Sequence, residues 1–250
     1  MSVMSFEIPT RVKVPRELRA RDLSVRDAKR LPGGFVRVTL GGDELEGFES
    51  TGPSDHCKLF VPAADGEMTG RHYTPLHVGG GEIAFDIVVH GDGPVSAWAD
   101  SLPVGSPVRV GGPRSSLEFP VGASRLVLIG DASAFPPIRR WLAARPQTLP
   151  TTLILHGEGI EYFEDLDGVD VVRTPFDPSG DGIVKALSEL ELDSGTYVCA
   201  AGEAGTLIAA RRWLRNESPV ARKAVKVDGY WKQGLADRDH HAPIDPNDAE

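Results

Sequence analysis

Two short stretches of the chain carry residue types that could together hold a charged, planar ligand. The first is Arg71-His72-Tyr73-Thr74-Pro75. Its arginine is a permanently charged fork of donors suited to phosphate, Tyr73 offers an aromatic face and a hydroxyl, and Thr74 can hydrogen-bond a ring nitrogen. The second runs from Asp86 to Arg114. Its opening run, Phe85 to His90, alternates like a strand and stops at Gly91-Asp92-Gly93, residues that favour turns and accept positive φ. Pro94 suits the first position of a helix, which leaves the amides of Val95, Ser96 and Ala97 pointing outward as a seat for an anion. The helix is expected to reach about Leu102, and a second strand, Pro107 to Val110, ends at Gly111-Gly112-Pro113. Alone, such a glycine turn only reverses the chain. With Arg71, Tyr73 and Thr74 upstream, the pair fits a flavin.

These residues need a scaffold, and the pattern of the chain supplies two. Short strand candidates separated by Gly, Pro, Asp and Ser occur at Asp22–Val25, Phe35–Leu40, His56–Val61, Phe85–Val89 and Val108–Val110, a spacing that points to a small antiparallel barrel. Near Pro120 the pattern changes. Continuous apolar runs at Arg125–Ile129, Thr152–Leu155, Val169–Val172 and Tyr197–Ala200 alternate with helical stretches ending at Trp141 and spanning Gly182–Leu190 and Ala204–Leu214. Apolar strands of this kind belong in a parallel sheet covered on both faces. The expected division is an irregular lead-in over 1–18 with a strand at Arg11–Val14, a barrel over 19–120, an α/β domain over 121–234 and a mobile acidic tail over 235–250.

Composition narrows the function classes. A chain of 250 residues that is 40% hydrophobic and 25% charged is that of a globular protein, and its net charge of −9 argues against a general nucleic-acid binder. No apolar run approaches the ~20 residues a membrane-spanning helix needs, and the opening MSVMSFEIPTRVKVPREL resembles no signal peptide, so membrane insertion is not expected and the cytoplasm is the expected location. Cys57 and Cys199 lack Cys-x-x-Cys spacing and sit among apolar neighbours, which predicts buried thiols and no metal site. His240 and His241, adjacent in the tail, are expected only to be solvated.

The ordered set Arg-x-Tyr-Thr, His-Gly-x-Gly-Pro-x-Ser-x-Trp and Gly-Pro-Arg resembles the siderophore-interacting proteins, flavin-dependent ferric-siderophore reductases. The likeness runs from about Arg19 to Gly234 and includes FVRVTLGGDELEGF, LIGDASAFPPIRRWL, AAGEAGTLIAARRWLR and GYWKQG. It implies a ferredoxin-reductase-like fold, with an FAD-binding barrel followed by a nicotinamide-binding α/β domain. It also implies roles: Arg71, Tyr73 and Thr74 on the flavin phosphate and ring, His90 and Gly91 along the ring or ribityl edge through backbone groups, and Val95 and Ser96 at the pyrophosphate.

In the α/β half, Gly130-Asp131 is not a Gly-x-Gly-x-x-Gly fingerprint. By the resemblance it ends the first strand, and Gly202-Glu203 ends the fourth at the same sheet edge, so both loops are expected to face one nicotinamide crevice. Glu158 and Glu161 after the second strand suit ribose hydroxyls and would repel a 2′-phosphate, so NADH is expected to serve at least as well as NADPH unless Arg140, Arg145 or Arg173 intervenes. Tyr230 and Trp231 follow the strand Ala224–Val227 and could shield one flavin face or pack the joint between domains. Lys232 is the candidate for attracting an anionic ferric siderophore. The resemblance implies no protein metal ligand, and no catalytic side chain is singled out. A monomer is expected.

One departure stands out. Where the family commonly continues Arg-x-Tyr-Thr-x-Arg, this chain has Leu76, which removes one charge-assisted contact and predicts a more readily lost flavin. Other readings of the same residues are a flavin reductase or electron-transfer flavoprotein with a different acceptor, and a carrier that binds flavin or siderophore without turnover.

Overall fold

The structure is a computed structural model, and it describes residues 8–63, 66–91, 93–235, 242–245 and 247. His240 and His241 lie outside these residues. The chain divides into two units, one comprising 12–119 with 136–144, the other 1–11, 120–135 and 145–250.

In the first unit, chain direction reverses at turns rich in Gly and Pro, so the strands pair antiparallel. They are β1 (Lys13–Pro15), β2 (Ala20–Leu31), β3 (Phe35–Gly41), β4 (Cys57–Pro62), β5 (Met68–Tyr73), β6 (Pro75–Gly79) and β7 (Glu82–Val88), then helix α1 (Pro94–Asp100), β8 (Pro107–Gly111) and β9 (Ser115–Leu117). Seven of them form one sheet in the order β5-β4-β8-β2-β3-β7-β6, while β1 pairs with β9. The edge strands β5 and β6 are consecutive in sequence and joined by Thr74 alone. The sheet therefore curls into a half-barrel whose two edges converge at Thr74. Alternation along β4 sends Cys57, Leu59 and Val61 inward, where they meet Val36, Leu40, Ile83, Phe85, Ile87 and Val110 in one core. Burial pushes the Cys57 thiol up to about 12, as expected of an inert core cysteine.

Asp86 is a carboxylate in the middle of this buried pattern. It is neutralised by its cross-strand neighbour Arg37, whose Nε and Nη2 donate to its two oxygens at 2.7 and 2.8 Å. Strands β5 and β6 were not expected from the sequence, because Gly70, Pro75 and polar residues between them blur the alternation that marks the other strands. Helix α1 ends at Asp100, two residues short of the expected Leu102, which itself takes a positive φ of 51°.

In the second unit the strands are β10 (Arg125–Gly130), β11 (Thr151–His156), β12 (Asp170–Thr174), β13 (Thr196–Glu203) and β14 (Val225–Trp231). The helices that follow β10, β12 and β13 are α2 (Phe135–Ala144), α3 (Asp181–Ser188) and α4 (Leu207–Asn216). All pairings are parallel, in the order β12-β11-β10-β13-β14. Strand β11 is buried at every position, and β10 at every position after Arg125, which is why they read as unbroken apolar runs. Counting from β10, the order is 3-2-1-4-5, the doubly wound arrangement with its switch point between β10 and β13.

Residues 136–144 of α2 group with the half-barrel rather than the parallel sheet. Two side chains account for this. Arg140 donates to Ser50 Oγ and O and to Pro75 O at 2.7 to 2.9 Å, and Trp141 Nε1 donates to Ser54 Oγ at 3.2 Å. Within the segment expected to be a mobile acidic tail, Asp245 is buried and receives two hydrogen bonds from Arg212, at 2.5 and 3.0 Å. Among the described residues no helix is long and apolar enough to cross a membrane.

Candidate functional site

Arg71 and Tyr73 alternate onto the same face of β5, and Thr74 is the buried link at the convergence of the sheet edges. Helix α1 packs against β5 and also against β3, β4 and β7, and it inserts Val95, Trp98 and Ala99 into the core that Tyr73 borders. The fold thus brings together the two stretches that the sequence separates by twenty residues or so. The turn between β7 and α1 uses Gly91 at φ 48°, with open space where a side chain would stand.

Ser96 has a different task from the one its position suggests. Its buried Oγ accepts from His90 N at 2.8 Å and donates to His90 O at 3.1 Å, so it closes the turn and engages both backbone groups of His90. No side chain caps α1, and the first helical acceptor, Gly93 O, is used by Ala97 N. The amides of Val95 and Ser96 precede it.

The donor set suits an anionic flavin. Arg71 is a cation, Asp86 nearby is neutralised by Arg37, and burial, against the pull of Arg71, raises the Tyr73 phenol to about 12, so it stays a neutral donor. The hydroxyls of Tyr73 and Thr74 take no hydrogen-bond partner among the described residues. Half-buried Leu76 adds no donor. The residue that sequence reasoning missed is Arg140, whose bond to Pro75 O fixes the chain immediately after Thr74. A lone arginine on a helix carried no signal of that role.

In the second unit, Gly130-Asp131 and Gly202-Glu203 end β10 and β13 on either side of the switch point. Asp131, buried, is a hub. Its Oδ1 accepts from Ser133 N at 2.9 Å and Ser133 Oγ at 2.5 Å, and its Oδ2 from Glu203 N at 2.7 Å and Trp231 Nε1 at 2.9 Å. Gly202 sits at φ 142°, and a Cβ there would lie 2.6 Å from Asp131 Oδ2. Buried Glu203 accepts from Thr206 N at 2.7 Å and Gln233 N at 3.0 Å. These two carboxylates are therefore occupied in tying together the ends of β10, β13 and β14.

Trp231 is thus tied to Asp131, and its ring stacks on Phe176. Tyr230 and Lys232 flank it on the exposed strand end. Of the arginines that could have served a 2′-phosphate, Arg140 is committed to Ser50 and Pro75, and buried Arg145 donates to Gln147 O and Asp167 O. Arg173 is exposed on β12, while Glu158 and Glu161 are exposed beyond β11.

Comparison with known proteins agrees with this geometry. The profile of the siderophore-interacting FAD-binding domain matches residues 64–117, and that of the siderophore-interacting protein matches 123–234. The chain is 28% identical over 245 residues to an NADPH-dependent ferric-chelate reductase of Escherichia coli, covering 88% of this chain and 95% of the relative. A siderophore utilization protein from T. fusca superposes with a TM-score of 0.84 at 29% identity, over 93% of this chain and all of the other. The ferredoxin reductase of carbazole 1,9a-dioxygenase shares the fold at 20% identity, with a TM-score of 0.66 over 86% of this chain and 70% of its own. With a flavin-suited cradle on a half-barrel, a doubly wound nucleotide sheet, and both halves matched by profiles of one family, the chain belongs to the siderophore-interacting proteins.

Proposed function

We propose that the protein is a ferric-siderophore reductase that takes electrons from NADH or NADPH and passes them through FAD to the iron of a ferric siderophore, releasing ferrous iron. The observation that supports this reading is the packing of α1, which carries Val95 and Ser96 in its uncapped first turn, against β5, which carries Arg71 and Tyr73. When bound, the flavin would accept two electrons from the reduced nicotinamide and deliver them singly to ferric iron. Arg71 and the α1 amides neutralise the phosphates, Tyr73 walls the ring, and Thr74 and Tyr73 donate to its polar edge. Gly91 orders the turn, and Ser96 holds it through His90.

We assign residues 19–120 to flavin binding and 121–234 to nicotinamide binding. Gly130, Asp131, Gly202 and Glu203 form the floor of the nicotinamide crevice, with Tyr230 and Trp231 at its rim. The exposed Glu158 and Glu161, with Arg140 and Arg145 occupied elsewhere, support NADH as a donor at least as good as NADPH. Lys232 supplies a cation for an anionic siderophore. Reduction is placed in the cytoplasm, where reduced nicotinamide is available, and is carried out by a monomer.

The activity is tested by supplying NADH or NADPH with a ferric siderophore and a ferrous-specific chelator in excess. Chelated ferrous iron that accumulates in step with nicotinamide oxidation supports the reading. Nicotinamide oxidation that persists without ferrous iron points to another acceptor.

A further inference from the structure

Asp55, just ahead of β4, is only 2% exposed. One of its oxygens does all of its hydrogen bonding: Oδ2 accepts from Ser116 Oγ at 2.6 Å, Ser50 Oγ at 3.0 Å and Gly52 N at 3.1 Å. Oδ1 is buried without a hydrogen-bond partner, so close to Gly52 that a Cβ there would stand 2.5 Å away. A buried carboxylate is costly unless cations answer it. Here each serine stands between the carboxylate and an arginine. Ser50 Oγ accepts from Arg140 Nη1 at 2.7 Å, and Ser116 Oγ accepts from Arg16 Nε at 3.2 Å.

The two arginines differ in what else they hold. Arg16 reaches Glu49 and Thr51 in the loop before β4, whereas Arg140 also donates to Ser50 O and Pro75 O, both at 2.9 Å. Burial pulls the Arg140 pKa below its ordinary value, and Asp55 is foremost among the charges that oppose this. The bond to Pro75 O falls where strand pairing is irregular: the register of β6 on β7 shifts between Pro75 and His77, and a proline has no N–H of its own to offer. Thr74, the one-residue link between the sheet edges, is therefore held on its C-terminal side by a side chain of α2.

We infer that Asp55 is a positioning residue for flavin binding: acting through Ser50 and Arg140, it fixes Pro75 and with it the hydroxyl that Thr74 presents to the flavin. A hydroxyl carries one proton. With Asp55 as its acceptor, Ser50 keeps its lone pairs for Arg140. Take the carboxylate away, and that proton is released to turn towards a guanidinium that can only donate. The guanidinium spans Ser50 Oγ, Ser50 O and Pro75 O with one planar fork, a grip that loosens at all three points when one is lost. The inference rests on the reading that Thr74 donates to a bound flavin ring.

The test uses the FAD-loaded protein and two readouts other than turnover. Release of flavin fluorescence on dilution is expected to be about tenfold faster in Asp55→Asn, which keeps the shape and removes the charge, and about tenfold faster in Arg140→Gln. Because Asp55 acts through Arg140, the double variant should release flavin no faster than the quicker single, whereas a hundredfold, additive effect would overturn the inference. The resonance Raman band of the flavin ring C=N stretch, which responds to a hydrogen bond at a ring nitrogen, should move in Asp55→Asn in the direction it moves in Thr74→Val. Asp55→Asn with a lowered melting temperature but an unmoved band and unchanged flavin release would leave Asp55 a structural residue and overturn the inference alone. Should Asp55→Asn fail to fold, Ser50→Ala breaks the same relay with the carboxylate in place, and unchanged release and an unmoved band there would overturn it equally. A wild type that takes up no FAD would overturn the flavin reading together with this one.

Discussion

Trp231 Nε1 donates to Asp131 Oδ2 at 2.9 Å, joining residues one hundred positions apart. The same oxygen accepts from Glu203 N, so the ends of β10, β13 and β14 are tied to one carboxylate. Asp131→Ala would leave buried donors unpaired. The expected cost is about 3 kcal/mol of stability, measured by urea unfolding, with a blue- or red-shifted Trp231 emission as local evidence that the tie is broken.

Gly202 is the counterpart of that tie. An alanine there must adopt φ near 142° and place its Cβ against a carboxylate that four donors hold in place. Gly202→Ala is expected to cost about 2–4 kcal/mol. Because the clash is with Asp131, the double variant with Asp131→Ala should be less damaging than the sum of the singles, and a strictly additive cycle would show that Gly202 is needed only for its backbone angle.

Much of the fold was legible in the sequence, because most of its strands carry plain signals. The unbroken apolar runs of β10 and β11 reported a parallel sheet buried on both faces, and Gly91-Asp92-Gly93-Pro94 reported a strand, a turn and a helix start. Strands β5 and β6 were illegible for a physical reason: they are sheet edges, half exposed and interrupted by Pro75, so burial imposes no alternation on them. The residues of the flavin cradle were visible by type, but the tasks of Ser96 and Arg140 depend on hydrogen bonds to His90 and Pro75 that no spacing encodes. His156 read only as the end of an apolar strand. Its buried, unpartnered Nε2 is a fact of packing.

Flavin retention should respond to Arg71 and Leu76 in opposite directions. Arg71→Ala removes the cation of the cradle and is expected to weaken FAD binding by about ten- to a hundredfold, from the loss of one charge-assisted contact. Leu76→Arg adds a donor two residues beyond Thr74 and is expected to slow flavin dissociation by about tenfold. Release of flavin fluorescence on dilution measures both, and an unchanged rate in Leu76→Arg would show that the leucine is not the cause of weak retention.

The pH response of the α/β unit should carry the mark of His156. Burial lowers its pKa from the ordinary 6.5, against the opposing pull of Asp131 and Glu203. The unfolded chain then binds the proton more readily than the folded one, so stability is full above about pH 6.5 and is lost progressively as pH falls through the lowered folded value. Melting temperatures recorded from pH 8 down to pH 5 should decline below about 6.5 in the wild type. His156→Phe should flatten that limb, and an equally steep decline would assign it to other groups.

The most direct test of the account is the visible spectrum of the flavin-loaded protein under anaerobic conditions, followed through the addition of NADH or NADPH and then of a ferric siderophore. The account predicts that the flavin bands bleach with the nicotinamide and return when the ferric siderophore is added, with ferrous iron formed in proportion. Bands that bleach but stay bleached in the presence of the ferric siderophore, or a protein that cannot be loaded with FAD at all, would contradict it.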